Sequence, residues 1–132
     1  MRNLEVAVDT NLLIEIEKNN QEVLAKIRHL DIANLEIFIT SPTYSEYYIG
    51  LLKLSAEKFK EGIERLDKYK VLNTTKNSSK ILAEIKHSLS KSGVPIPIFD
   101  LFIASIAMDN RVPLITLDNH FKRIKNLNVI LM

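Results

Sequence analysis

Two rhythms of apolar and polar positions alternate along the chain. Leu4-Glu5-Val6-Ala7-Val8 is a short Val-rich run that stops at Asp9-Thr10-Asn11, the composition of a strand that ends in polar residues. Leu12, Leu13 and Ile16 then make one helical stripe, and Val23, Leu24, Ile27 and Leu30 make another, with Asn19-Asn20 as the turn between them. Leu35 to Thr40 reads as a second strand. Ser41-Pro42 supplies an N-cap and a proline at the first helical position. The helix that starts there carries Tyr44, Glu46, Tyr47, Tyr48, Leu51 and Leu52. It should break near Gly50 or Ser55, before a further helix marked by Phe59, Ile63 and Leu66. Val71-Leu72 leaves room for only a brief third strand.

Asn77 or Ser78 can cap the next helix, whose stripe Ile81, Leu82, Ile85 and Leu89 has the spacing of one buried face. Gly93 closes it, and Pro95-Ile96-Pro97-Ile98 is an extended linker, because a residue before proline avoids the α region. The linker delivers the chain to Asp100. Leu101 to Met108 is apolar nearly all round with small residues interleaved, as in a helix covered on several sides. Pro113 to Thr116 is a fourth strand, Asp118 to Ile124 a turn and short helix, and Val129 to Leu131 a terminal strand. Continuous apolar strands alternating with helices predict an α/β fold: a parallel central sheet of four to five strands with helices on both faces. No repeat, low-complexity segment or linker divides residues 1–132, so one domain is expected.

Composition narrows the chemistry. Hydrophobic residues at 46% and charged residues at 26% are ordinary for a globular protein, and no apolar run reaches the length of a membrane span. Met1-Arg2-Asn3 leads directly into a strand without a secretory signal, so a cytoplasmic chain with no membrane partner is expected. The sequence has no Cys, which excludes disulfides and thiolate chemistry. Any metal would be held by carboxylates, carbonyls or His, a donor set suited to Mg²⁺ or Mn²⁺. A net charge of +2 permits a nucleic-acid partner without demanding one.

Four acids fall at equivalent places in this scheme. Asp9 follows the first strand, Glu46 lies one turn into the helix after the second, Asp100 opens the long apolar helix, and Asp118 follows the fourth strand. Parallel βα units place all those junctions on one edge of the sheet. Each acid also has a local explanation. Asp9 and Asp100 could be N-caps, Glu46 the end of a capping box begun by Thr43, and Asp118 a turn residue. Local roles account for the acids singly but not for their shared edge. Four converging carboxylates repel unless a cation compensates, and a divalent ion in such a site supports hydrolytic phosphoryl chemistry.

The segments Val8-Asp9-Thr10-Asn11, Ser45-Glu46, Asp100 to Ala107 and Leu114 to Phe121 together resemble the PIN-domain family, and specifically its VapC-type toxin ribonucleases. The likeness spans essentially the whole chain. It implies a PIN-like fold in which Asp9, Glu46, Asp100 and Asp118 bind the metal and Asn11 and Thr116 support them. It further implies an endoribonuclease that hydrolyses RNA phosphodiesters with a metal-activated water. A homodimer inhibited by a small antitoxin protein is implied as well. Ile98 and His120 depart from the family's usual pattern, relatives often carrying a polar residue and an Asp there.

Other signals have plainer explanations. Ser55-Ala56-Glu57-Lys58 and Ser88-Leu89-Ser90-Lys91 match an S-x-x-K pattern without its companion motifs. Asn73-Thr74-Thr75 and Asn77-Ser78-Ser79 match glycosylation sequons, which mean nothing without secretion. His29 and His87 lack metal-ligand spacing. The tyrosines from Tyr44 to Tyr69 can stack on bases, though their helical spacing suits a core or interface. Apolar residues between Tyr44 and Leu54 exceed what one small core can bury, which points to a partner surface. Lys53, Lys58, Lys60, Lys68, Lys70, Lys122, Arg123 and Lys125 can draw in phosphates or simply solvate helix faces.

Two rivals to the nuclease remain: a PIN-like module that grips RNA or protein without cleaving, and a housekeeping RNA-processing nuclease. An aspartyl-phosphate phosphatase needs a second acid two residues after Asp9, where this chain has Asn11. A receiver domain needs an acid ending the third strand, where Val71-Leu72-Asn73 offers none.

Overall fold

The computed structural model describes residues 3–30, 34–93 and 95–132. The N-terminal signal argument therefore falls partly outside it, at Met1 and Arg2. Five strands run in chain order: β1 (Asn3–Val8), β2 (Asn34–Thr40), β3 (Lys70–Leu72), β4 (Leu114–Thr116) and β5 (Val129–Leu131). Every pairing is parallel and the spatial order is β3-β2-β1-β4-β5. The helices are α1 (Thr10–Glu17), α2 (Gln21–His29), α3 (Ser41–Leu51), α4 (Ala56–Leu66), α5 (Lys76–Ser90) and α6 (Ile98–Asp109), and Asn119–Arg123 forms a short 3₁₀ helix.

Both faces of the sheet are covered, which is why the strands read as unbroken apolar runs. On one face Val6, Val8, Ile39 and Ile115 pack with Leu12, Leu13, Val23, Leu51 and Leu66 from the helices α1 to α4. On the other, Ala7 and Leu114 pack with Ile85, Leu101, Ala104 and Phe121. Small residues let α6 approach closely: Ala104, Ser105 and Ala107 are all buried. Among the described residues no helix is long and apolar enough to cross a membrane.

Several element ends differ from the sequence expectation, each for a local reason. Thr40, not Ser41, caps α3: its side chain accepts from the Thr43 N–H, which leaves Ser41 and Pro42 inside the first turn. Proline is tolerated there because first-turn N–H groups have no helical partner. Thr75, not Asn77 or Ser78, caps α5 through a reciprocal pair with Ser78, at 2.9 and 2.7 Å. Asn77 instead donates to Asp109 at the end of α6, as Thr75 does through its hydroxyl. Those two bonds hold the Asp109 carboxyl below the usual carboxylate range. The linker ends earlier than expected, since α6 begins at Ile98 with Pro97 before it. Gly50 does not interrupt α3, and Ser55 starts α4 as its N-cap, so the first S-x-x-K serine is a cap. Gly93 lies two residues beyond the α5 C-cap Lys91, with φ of +74°.

The α3–α4 contact depends on one glycine. A Cβ on Gly62 would lie 2.4 Å from Cδ2 of Leu51, itself buried. Overpacking of this kind typically costs about 1–3 kcal/mol. Gly62→Val should lower unfolding stability by about that amount in a urea titration, while Gly50→Ala, with nothing near its Cβ, should not lower it. A Gly62→Val protein as stable as wild type would mean that the helices can separate freely.

Candidate active site

The chain runs outward from β1 to β2 and β3, then crosses back through α5 and α6 to β4 on the other side of β1. The strand order therefore reverses between β1 and β4, and crevices in parallel α/β sheets open outside the C-terminal ends of such strands. Asp9 follows β1 at this point and is only 3% exposed. One carboxylate oxygen accepts from the Leu12 N–H at 3.0 Å, capping α1. The other accepts from the Thr116 hydroxyl at 2.6 Å, across the reversal point. The capping role weighed for Asp9 is met, and the same carboxylate stands at the C-terminal end of β1 beside the reversal point. Thr116 in turn accepts from the Asp118 N–H at 2.9 Å, so one hydroxyl sets the direction of two of the acids.

Glu46 is not part of a capping box with Thr43. Its Oε1 accepts from the Thr10 hydroxyl at 2.6 Å, which ties α3 to the first turn of α1. The Thr43 hydroxyl lies 3.1 Å from that of Thr10 and 3.3 Å from that of Thr40. Thr10, Thr40 and Thr43 thus form a hydroxyl cluster behind the carboxylates, and sequence reasoning assigned none of them to the site. Thr40 and Thr43 are fully buried, and a threonine at a strand end followed by another three residues on was the available signal.

Asp100 is not an N-cap either, since α6 has no side-chain cap and Asp100 is its third residue. His120 stands between it and Asp118: Nε2 lies 3.0 Å from Asp100 Oδ2, and Nδ1 lies 2.8 Å from Asp118 Oδ1. The Nε2 approach is an ion-pair distance without hydrogen-bond alignment, leaving that buried atom without a hydrogen-bond partner. Asp118 caps the 3₁₀ helix by accepting from the His120 N–H at 3.1 Å.

The electrostatics show how closely these groups gather. Burial pushes the Asp100 carboxyl above the usual carboxylate range; His120 opposes the rise, and Asp9, Glu46 and Asp118 each add to it. Asp9 is also raised, chiefly by burial, against the lowering effect of its bonds from Thr116 and Leu12. All four predicted acids therefore share one electrostatic neighbourhood. Asn11 does not join them by hydrogen bonding: it is exposed, with no side-chain hydrogen bond among the described residues. His29 and His87 are exposed on α2 and α5, away from this group.

Among the described residues, no three Asp, Glu or His side chains already form a closed metal cage. The His120 imidazole lies where Asp100 and Asp118 would otherwise approach a shared cation. The donor set still fits a hard divalent ion: it is made of carboxylate oxygens, and the mutual repulsion felt at Asp100 is what such an ion relieves.

A stability measurement follows from the direction of these shifts. A carboxyl whose folded pKa exceeds its unfolded value of about 4 favours the folded state fully below that pH, and the contribution is lost as pH rises through the folded value. In EDTA, the stability of Asp100→Asn relative to wild type should therefore increase from pH 4 toward neutrality, leaving the variant at least as stable as wild type there. Thermal unfolding of both proteins across that range reads the difference. A variant that becomes less stable than wild type as pH rises would show that the Asp100 carboxylate is attracted by its surroundings and not repelled.

Comparisons with known proteins identify the fold and the family. The PIN domain family model matches residues 6–127. Ribonuclease VapC3 of Methanocaldococcus jannaschii is 33% identical over 103 residues, covering 78% of this chain and 98% of the relative. Among solved structures, VapBC2 from Rickettsia felis bound to a promoter DNA fragment superposes with a TM-score of 0.82 at 24% identity, over 98% of this chain and 99% of that one. DNA-bound VapBC from Salmonella typhimurium does so with a TM-score of 0.80 at 25% identity, over 96% and 97% of the two chains. With the family model spanning nearly the whole chain and a relative matched over almost its full length, the protein belongs to the PIN domain family.

Proposed function

We propose that the protein is a Mg²⁺- or Mn²⁺-dependent endoribonuclease of the VapC type and the toxin of a toxin–antitoxin pair. The observation that carries this reading is geometric: Thr116 links Asp9 to the Asp118 backbone, His120 stands between Asp118 and Asp100, and Thr10, next to Asp9, holds Glu46. Likeness to a protein named ribonuclease supports it.

In this reading the four acids hold the ion. Thr116 orients Asp9 from below, Thr10 fixes Glu46, and Asn11 stands exposed at the crevice edge, where it can meet substrate. When bound, the ion supplies Lewis acidity to the phosphodiester and lowers the pKa of an attacking water. Water oxygen adds to phosphorus, the bond to the 3′ oxygen breaks, and the products carry a 5′-phosphate and a 3′-hydroxyl. His120, when protonated, contributes positive charge between Asp100 and Asp118, and Lys122, Arg123 and Lys125 lie exposed on the adjoining 3₁₀ helix and turn. These cations favour approach of a polyanion to an otherwise acidic crevice.

Purified protein should cut RNA internally with Mg²⁺ or Mn²⁺ and leave 5′-phosphate ends. Removing one charged group from such a site costs on the order of 10²-fold or more in rate, so Asp100→Asn should lose at least that much activity. Millimolar Mn²⁺ should raise the melting temperature of wild type more than that of the variant, because an ion that binds only the native state stabilises it. Cleavage that survives excess EDTA, a 2′,3′-cyclic phosphate product, or full activity in the variant would reject the mechanism.

The same reading gives the protein partners. Ile49 and Leu52 at the end of α3, Leu54 just beyond it, and Ile98 and Phe99 at the start of α6 are large apolar side chains left exposed. Exposed apolar patches of this kind mark interfaces. We assign them to a homodimer or to a small helical antitoxin. Sedimentation of wild type and Leu52→Lys over a wide concentration range should show association that the charge weakens, and copurification from the native host should recover a small protein. A monomer at every concentration with no copurifying partner would remove this assignment.

A further inference from the structure

Beside Asp118 lies an open pocket of about 520 Å³, within the roughly 300–1,000 Å³ typical of ligand pockets. Its walls include Asn11, Ile14, Glu15, Asn20, Leu117 and Asp118, so it opens directly from the carboxylate crevice. Ile14 and Leu117 supply apolar wall, and Glu15 supplies a carboxylate whose position is fixed. Glu15 Oε2 accepts from the Asn20 amide at 2.8 Å. The Asn20 side-chain Oδ1 is itself held at the start of α2, where it accepts from the Glu22 and Val23 N–H groups at 3.1 and 3.3 Å. The backbone closes the same loop, with the Asn20 N–H donating to the Glu15 carbonyl at 3.1 Å. Glu15 Oε1 accepts no hydrogen bond, and the carboxylate meets no cation, among the described residues.

A pre-positioned acceptor with apolar walls beside it and Asp118 at its mouth is hostile to a phosphate but suited to a flat, neutral group that carries N–H donors. In a single strand laid across the acids, that group is the base next to the scissile phosphate, since splayed bases offer their Watson–Crick edges to side chains. The four bases differ at that edge. Guanine presents two adjacent donors, N1–H and the 2-amino group, which match the two oxygens of one carboxylate. Adenine and cytosine pair one amino donor with an acceptor, and uracil flanks one N–H with two carbonyls. We infer that this cavity is a base-reading subsite in which Glu15 selects guanine beside the cleaved bond. The inference rests on the ribonuclease reading for the presence of RNA, and on Glu15, Asn20 and the cavity for the choice of base.

The test measures binding and cleavage separately. Fluorescence anisotropy, with Ca²⁺ in place of the catalytic ion, compares a short oligouridine carrying one central guanosine with the same oligonucleotide carrying inosine, adenosine or uridine there. Bidentate base recognition discriminates on the order of tenfold or more. The guanosine oligonucleotide should therefore bind wild type at least about tenfold more tightly than the adenosine or uridine ones. Inosine, which lacks only the 2-amino donor, should bind several-fold more weakly than guanosine. In Glu15→Gln the ratio of guanosine to uridine affinity should collapse toward one. Mere loss of negative charge would shift all four affinities together and leave the ratio intact. Equal affinity of wild type for guanosine and inosine overturns the subsite without any variant, as does a ratio that survives Glu15→Gln. Cleavage of RNA with no base preference in either assay rejects the subsite and leaves the nuclease standing. Guanosine preference without any metal-dependent cleavage rejects the nuclease and leaves the subsite, and absence of both binding and cleavage rejects both.

Discussion

The buried Asp9 carboxylate is the constraint on which the rest of the site depends. At 3% exposure a carboxylate is costly to bury unless hydrogen bonds satisfy it. Here the satisfaction comes from the Leu12 N–H, which exists because a helix begins there, and from Thr116, which is in reach because β4 lies directly beside β1. The first partner is local and the second is a product of topology. If the crossover through α5 and α6 returned the chain elsewhere in the sheet, the acid would lose its hydroxyl, and Thr116 would no longer link the Asp118 N–H to Asp9. The parallel sheet thus builds the crevice before any ligand is considered.

Around that fixed point the remaining charge is balanced only in part. His120 faces both Asp100 and Asp118, yet burial and the neighbouring acids still hold Asp100 above its usual range. Asp100 sits in the first turn of α6, where the helix dipole favours a negative charge, so the upward shift arises against that local preference. Local helix chemistry would place an acid at this point for stability. Burial first, and the neighbouring acids after it, work against the charged form instead.

Strand and helix alternation was readable because the central strands β1 and β4 bury residues on both faces and the helices keep apolar positions toward the sheet; even three-residue β3 was visible as Val71-Leu72. The shared edge of the four acids followed from parallel connectivity. Caps were less legible. The sequence pattern pointed to Ser41 and to Asn77 or Ser78, whereas Thr40 and Thr75 are the caps, and near Thr75 the tertiary partner Asp109 takes up Asn77 instead. The local alternative for Glu46, a capping box with Thr43, fails because its hydrogen-bond partner, Thr10, is distant in sequence. The hydroxyl cluster of Thr10, Thr40 and Thr43 was missed for the same reason, since threonines in a strand or first helical turn have sufficient local roles to conceal a shared one.

Asn11 shows the limit from the other side. Resemblance places it with the acids, yet geometry gives it an exposed amide on the wall of the cavity that Glu15 and Asn20 also line. The two-residue step from Asp9 carries the chain from the buried end of β1 to the solvent side of α1, so about half a turn of helix separates a buried, hydrogen-bonded residue from an exposed one. The first turn of α1 therefore has two duties. Its N–H at Leu12 and its hydroxyl at Thr10 hold carboxylates in place. Its outer face, continued by Ile14 and Glu15, forms a wall of the pocket beside Asp118. An insertion between Asp9 and Glu15 would shift both duties together, which ties the spacing of this segment to the crevice as firmly as the acids themselves.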